Sequence, residues 1–151
     1  MKKARLAAQS RSNLDDRFRE LAPVARYSVP VRGWIKAVRE ALGMTTEQLA
    51  KRLGVKQPSV VAIEQSEAKA SIELATLRRA ANALDCTLVY ALIPNKSLEI
   101  AVRDRARAFL RRRRASVEHS MLLEDQGVRG NNSDAQLDEI MRDTNPRLFW
   151  D

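Results

Sequence analysis

Between Thr45 and Gln65 the sequence TTEQLAKRLGVKQPSVVAIEQ holds two complete helix signals divided by one glycine. Thr45 and Gln48 stand three residues apart, the spacing at which a Thr hydroxyl caps a helix and a Gln side chain reaches back to it. That helix stops at Gly54, a residue that takes up a left-handed turn without steric cost. A second helix begins near Gln57, with Pro58 in the first turn, where N–H groups lack helical partners in any case. Ala50 is small where the two helices approach each other closely. Val55, Val60 and Ile63 fall on the inward side, which leaves Lys56, Gln57, Ser59, Val61, Ala62 and Gln65 accessible.

The flanks extend this pattern into a bundle. Trp34, Ile35, Val38 and Leu42 recur at helical spacing before Gly43, and Leu74, Leu77, Ala81 and Leu84 outline a further helix. Trp34 reads as the anchor of its helix. Upstream, Leu14, Phe18 and Leu21 mark a helix through Ala22, and Pro23 and Pro30 bracket an extended connector. Downstream, Thr87 to Ile93 (TLVYALI) reads as a strand closed by Pro94 and Asn95. A lone apolar strand leaves its edges unpaired, and no second convincing strand is present. Leu88, Val89, Tyr90, Ala91 and Leu92 are therefore expected to pair with a second copy of the chain. Ser97 caps a long helix whose stripe of Leu98, Val102, Ala106, Phe109, Val117 and Met121 is interrupted at Arg113. A loop, GVRGNNSD, precedes a last helix through Leu137, Ile140 and Met141, capped by Ser133 or Asp134. The divisions expected are 1–31, helix and extended arm; 32–85, the helical bundle; 86–96, the strand; and 97–151, a helical extension and tail in which Trp150 docks.

Composition removes several classes of function. A chain of 151 residues, 44% apolar, can bury a stable core without staples. One cysteine, Cys86, and one histidine, His119, cannot assemble a zinc ligand set or a disulfide. The sequence has no phosphate-cradling glycine loop, no HExxH and no nucleophile elbow. Asp15 with Asp16, and Glu124 with Asp125, lie on polar segments where ionised surface groups are expected. No catalysis, metal or cofactor is predicted. No apolar run approaches a membrane span, and the polar start lacks a signal peptide's apolar stretch, so a cytoplasmic location with no membrane contact is expected.

Charge is unevenly placed. The formal net charge is +8, with +7 in residues 1–95, +5 in 96–118 and −4 in 119–151. A basic body attracts polyanions, and an acidic tail can pair with its own basic segment or with a partner. The block from Arg111 to Arg114 reads as a solvated helical face, with a second DNA or partner contact as the alternative.

The helix beginning at Gln57 fits a DNA major groove, about 12 Å wide, with its early residues against base edges. Gln57 is the first candidate for base contact, since its amide donates and accepts together and so matches adenine. Ser59 bonds several bases, and Val61 or Ala62 touches a thymine methyl. Arg39, Thr45, Thr46 and Lys56 are the candidates for the DNA backbone. The competing reading for these side chains is an ordinary solvated surface, and the packing residues argue for the fold alone.

The run MTTEQLAKRLGVKQPSVVAIEQSE resembles the helix-turn-helix of xenobiotic-response-element regulators, the Cro and CI repressor type, and the resemblance extends from Arg32 to Leu84. RGWIKAVREALGM, RRAANALDCTLVYALIPNKSLE, HSMLLEDQ and the terminal LFWD are similar to the mobile mystery protein A group within it. The resemblance implies a mainly α fold: a Cro/CI-type bundle, one dimerising β-strand and a C-terminal helical extension. It implies a homodimeric transcriptional repressor bound to a palindromic operator in double-stranded DNA. The narrower group implies a Fic-domain protein as neighbour and partner, and so an alternative function as an antitoxin whose DNA binding is autoregulatory. Two departures stand out: Val61 and Ala62 occupy positions that are polar in many such repressors, and no Glu is followed by the Gly or Asn of the usual Fic-inhibitory motif.

Overall fold

The computed structural model describes residues 2–121 and 133–151. Its helices are α1 (Lys2–Leu21), α2 (Trp34–Ala41), α3 (Thr46–Leu53), α4 (Gln57–Ala68), α5 (Leu74–Ala83), α6 (Leu98–Met121) and α7 (Ser133–Asp143), with 3-10 turns at Val24–Tyr27 and Pro146–Phe149. They form two compact units, one of Pro23–Leu92 and one of Met1–Ala22 with Ile93–Asp151. Among the described residues no helix is long and apolar enough to cross a membrane. Residues 127–132 of the expected loop, and Glu124 and Asp125, lie outside the described residues, as does the side chain of Met121.

In the unit Pro23–Leu92 four helices enclose Ile35, Leu49, Ala50, Val60, Ala80 and Leu84, with Val38, Val55, Ile63 and Leu77 half-buried around them. Burying side chains such as Leu49 and Val60 contributes roughly 1.5–3 kcal/mol each. The expected capping box is formed: Thr45 Oγ1 accepts from the Gln48 N–H at 3.1 Å, and Gln48 Oε1 accepts from the Thr45 N–H at 2.8 Å. Gly54 sits at φ +68°, and the Val55 N–H returns to the Ala50 carbonyl at 3.0 Å, closing α3. Three local readings need correction. Ile35, not the half-exposed Trp34, anchors α2; Ala80 rather than Ala81 is the buried small residue of α5; and the connector coils into a 3-10 turn at Val24–Tyr27.

The expected strand is the larger correction. Among the described residues there is no strand. Thr87 to Asn95 makes no backbone hydrogen bond among them, and Val89, Tyr90 and Leu92 are 80%, 66% and 89% exposed. Leu88 is half-buried and Ala91 exposed. The composition is that of a strand, but a strand exists only as a ladder, and no described residues bring a second strand to it.

The other unit is built on α6. Val102, Ala106, Leu137 and Phe149 are buried, with Phe109, Leu110, Ile140 and Met141 against them. The Phe149 ring meets the Phe109 ring edge-on, centroids 5.5 Å apart. The first turn of α6 is capped from two places: Asp15 of α1 accepts from the N–H groups of Leu98 and Glu99 at 2.7 and 3.1 Å, and Ser97 Oγ accepts from Ile100 at 3.2 Å. One turn before Asp15, Arg11 donates to Glu99 at 3.0 Å. The N-terminal helix is thus docked on α6 rather than continuing into a free arm.

The arginines of α6 are largely occupied. Arg103 pairs with Asp138 at 2.9 Å, Arg112 donates to the Asp151 carbonyl oxygen at 2.7 Å and Arg114 to Gln136 at 2.5 Å. Arg105 lies over the Trp150 ring at 5.1 Å. Much of the basic block is therefore a clamp on the chain's own C-terminal segment.

Candidate nucleic-acid interface

The candidate surface is the junction of α3 and α4. Lys56 is the N-cap of α4, and Lys56, Gln57, Ser59, Val61, Ala62 and Gln65 are all exposed. Thr45 and Thr46 open α3, and Gln57 Nε2 donates to Thr46 Oγ1 at 2.8 Å. That bond joins a candidate base-reading side chain to a candidate backbone-contacting one. It uses one of the two amide hydrogens of this exposed side chain, and Oε1 with the second N–H is the pair that a donor–acceptor edge such as adenine's requires. Thr45 spends its acceptor capacity on the α3 cap, while its hydroxyl hydrogen remains free to donate.

Arg39 belongs elsewhere. Its side chain is 9% exposed and forks onto Glu64, itself 7% exposed, with Nε–Oε1 at 2.5 Å and Nη2–Oε2 at 3.2 Å; Nη1 donates to the Met44 carbonyl at 2.8 Å. The Glu64 hydrogen bond raises the Arg39 pKa above its ordinary value despite burial, so the guanidinium stays charged at every accessible pH. The expectation that Arg39 reaches a phosphate is corrected: it is the strut between α2 and α4.

A second buried carboxylate repeats the device one turn on. Glu67 accepts from the N–H groups of Trp34 and Ile35, both at 2.8 Å, and so caps α2 from α4. Gly33 permits this approach, because it sits at φ +85° and a Cβ there would lie 2.7 Å from Glu67 Oε2. Sequence reasoning missed both roles. The available signal was spacing: Val60, Glu64 and Glu67 stand at i, i+4 and i+7 on the inward face, so the acids fall on the buried stripe while Val61 and Ala62 face out. α4 is inverted relative to an ordinary amphipathic helix. Its inner acids fix the helix to α2, and its outer face combines polar and methyl-bearing groups.

The residues Leu88 to Leu92 take no part in this junction's hydrogen bonds and form a separate apolar surface. Residues 35–90 match the helix-turn-helix family model. No curated protein and no solved structure matches the chain. The match runs from the second residue of α2 through α5 and supports a DNA-binding regulator of transcription. The α3–Gly54–α4 junction, two helices joined at a glycine turn, lies inside the matched residues and is similar to the element for which such domains are named.

Proposed function

We propose that the protein reads a specific sequence in duplex DNA, as a Cro/CI-type repressor acting as a homodimer on a palindromic operator. The observation that carries this reading is the exposed first turn of α4 with the Gln57 amide already oriented by Thr46. Gln57, Ser59, Val61 and Ala62 contact base edges, and Thr45, Thr46 and Lys56 contact phosphates. Methyl contacts from Val61 and Ala62 favour thymine, so discrimination depends on shape as well as hydrogen bonding. Self-association uses the exposed apolar side chains of Val89, Tyr90 and Leu92.

Selection of bound duplexes from a random pool tests the reading. It should return an inverted repeat with half-sites about 10 base pairs apart, the spacing that places two recognition helices about 34 Å apart. Recovery of no consensus overturns sequence-specific reading, and light scattering that finds a monomer at micromolar concentration overturns the dimer. Gln57→Ala should cost about 1–3 kcal/mol on the cognate duplex and relax the preference at one base pair of each half-site. Equal losses on cognate and scrambled duplexes would remove Gln57 from the base-reading set. Lys56→Ala should instead weaken every sequence alike and reduce the slope of log affinity against log salt by about one per bound Lys56. An unchanged slope would take Lys56 off the backbone.

A further inference from the structure

We propose that the exposed part of α6 beyond its packed half, from Arg111 to Val117, docks an acidic amphipathic helix of a partner protein. The first half of α6 shows what this helix's surface accepts. Over Val102 to Leu110 its apolar stripe is covered by Leu137, Ile140, Met141 and Phe149, while Asp138, Gln136 and the Asp151 carbonyl engage Arg103, Arg114 and Arg112 on either flank. The occupant there is an apolar helix face edged with acceptors.

Beyond Leu110 no described residue buries the same surface, although Asp151 and Gln136 reach Arg112 and Arg114. Every residue from 111 to 120 is exposed, and Val117 is 51% exposed on the line of the buried stripe. Phe109, Arg112, Arg113, Ser116, Leu148 and Asp151 frame an open groove of about 420 Å³ at the point where cover ends. Arg113, which also lines the groove, stands over the Phe109 ring at 5.6 Å. An apolar floor between arginines matches an apolar stripe between carboxylates, and an Arg–carboxylate fork adds geometric selectivity to the charge attraction. A second copy of the same segment is disfavoured, because it would bring two runs of four arginines together. Nucleic acid has use for the arginines but none for the apolar floor of Phe109 and Leu148.

The test uses the full chain and a fluorescent helical peptide with leucines at heptad a and d positions and glutamates elsewhere, read by anisotropy at physiological salt. Binding should be saturable. Arg113→Glu and Val117→Asp, each on the exposed half of α6, should weaken it about tenfold or more at an unchanged melting temperature. A peptide with lysines for the glutamates should not bind, and one with serines for the leucines should bind at least about tenfold more weakly. Absence of binding, or binding indifferent to Arg113→Glu and Val117→Asp, overturns the proposal. So does a result in which Arg113→Glu reduces affinity for a non-specific duplex while leaving the acidic peptide unaffected, which would assign the surface to nucleic acid.

Discussion

Arg39→Ala should destabilise the unit Pro23–Leu92 by about 3–5 kcal/mol, a large share of the stability a single domain possesses. The substitution leaves the Glu64 carboxyl without its partner in a site where only 7% of its side chain meets water, and it also strips the Met44 carbonyl of its donor. Glu64→Ala should cost a similar amount, since it strands the guanidinium instead. Replacing both residues together, Arg39→Met with Glu64→Leu, should recover most of the loss, because well-packed apolar side chains avoid the desolvation cost that the ion pair only offsets. The two tryptophans fall in different units, so denaturant unfolding followed by Trp34 fluorescence in a Trp150→Phe background reports on this unit alone. A loss below about 1 kcal/mol for either single substitution would place the pair among surface bridges of little consequence. The functional effect follows from geometry. Glu64 lies two turns along the helix whose exposed first turn presents Gln57, so the strut fixes the angle at which that turn meets a groove. The double substitution should therefore fold yet bind cognate duplex less selectively.

What could be read from the amino acids and what could not divide by distance along the chain. The Thr45–Gln48 box, the Gly54 turn and the start of α4 at Gln57 are each set by near neighbours in sequence, and they stand in the structure as the spacing indicates. The accessible set on α4 follows from the same periodicity. The interactions that hold these pieces in place join distant residues: Arg39 to Glu64, Glu67 to the start of α2, and Asp15 to the start of α6. A charged side chain gives no local indication that it will be buried with a partner 25 residues away, and so Arg39 resembled a surface cation reaching for phosphate. The segment Thr87 to Ile93 fails for a different reason. Its β-branched and aromatic side chains describe the surroundings a strand would need, and those include a paired neighbour that no described residue provides. The α6 arginines differ again: a run of four reads as a solvated face, or else as a second DNA or partner contact, until the C-terminal segment is seen to supply acceptors for Arg112 and Arg114.

Phe149→Ala should remove about 3–5 kcal/mol from the unit that contains α6, and for a reason unlike that at Arg39. Phe149 is 1% exposed and stands with Val102, Ala106 and Leu137 at the centre of a small core, its ring edge against Phe109. Truncation leaves a cavity on a short 3-10 turn held otherwise by the Asn145 cap, at 3.2 Å to the Arg147 N–H, and by contacts of exposed side chains. A core with so few buried members has little capacity to repack, so the cavity term should add to the transfer term rather than relax away. Phe149→Leu keeps most of the apolar volume and should lose markedly less. The polar clamp should fail together with the apolar one: once the turn leaves its seat, Arg105 loses the Trp150 ring and Arg112 the Asp151 oxygen. Trp150 emission in a Trp34→Phe background should shift toward that of a solvated indole at denaturant concentrations where the parent is still folded, and hydrogen exchange in α7 should rise with it. If α7 kept its protection while Trp150 became solvated, Leu137, Ile140 and Met141 would suffice to hold α7 on α6, and the aromatic turn would be an independent latch rather than the centre of the core.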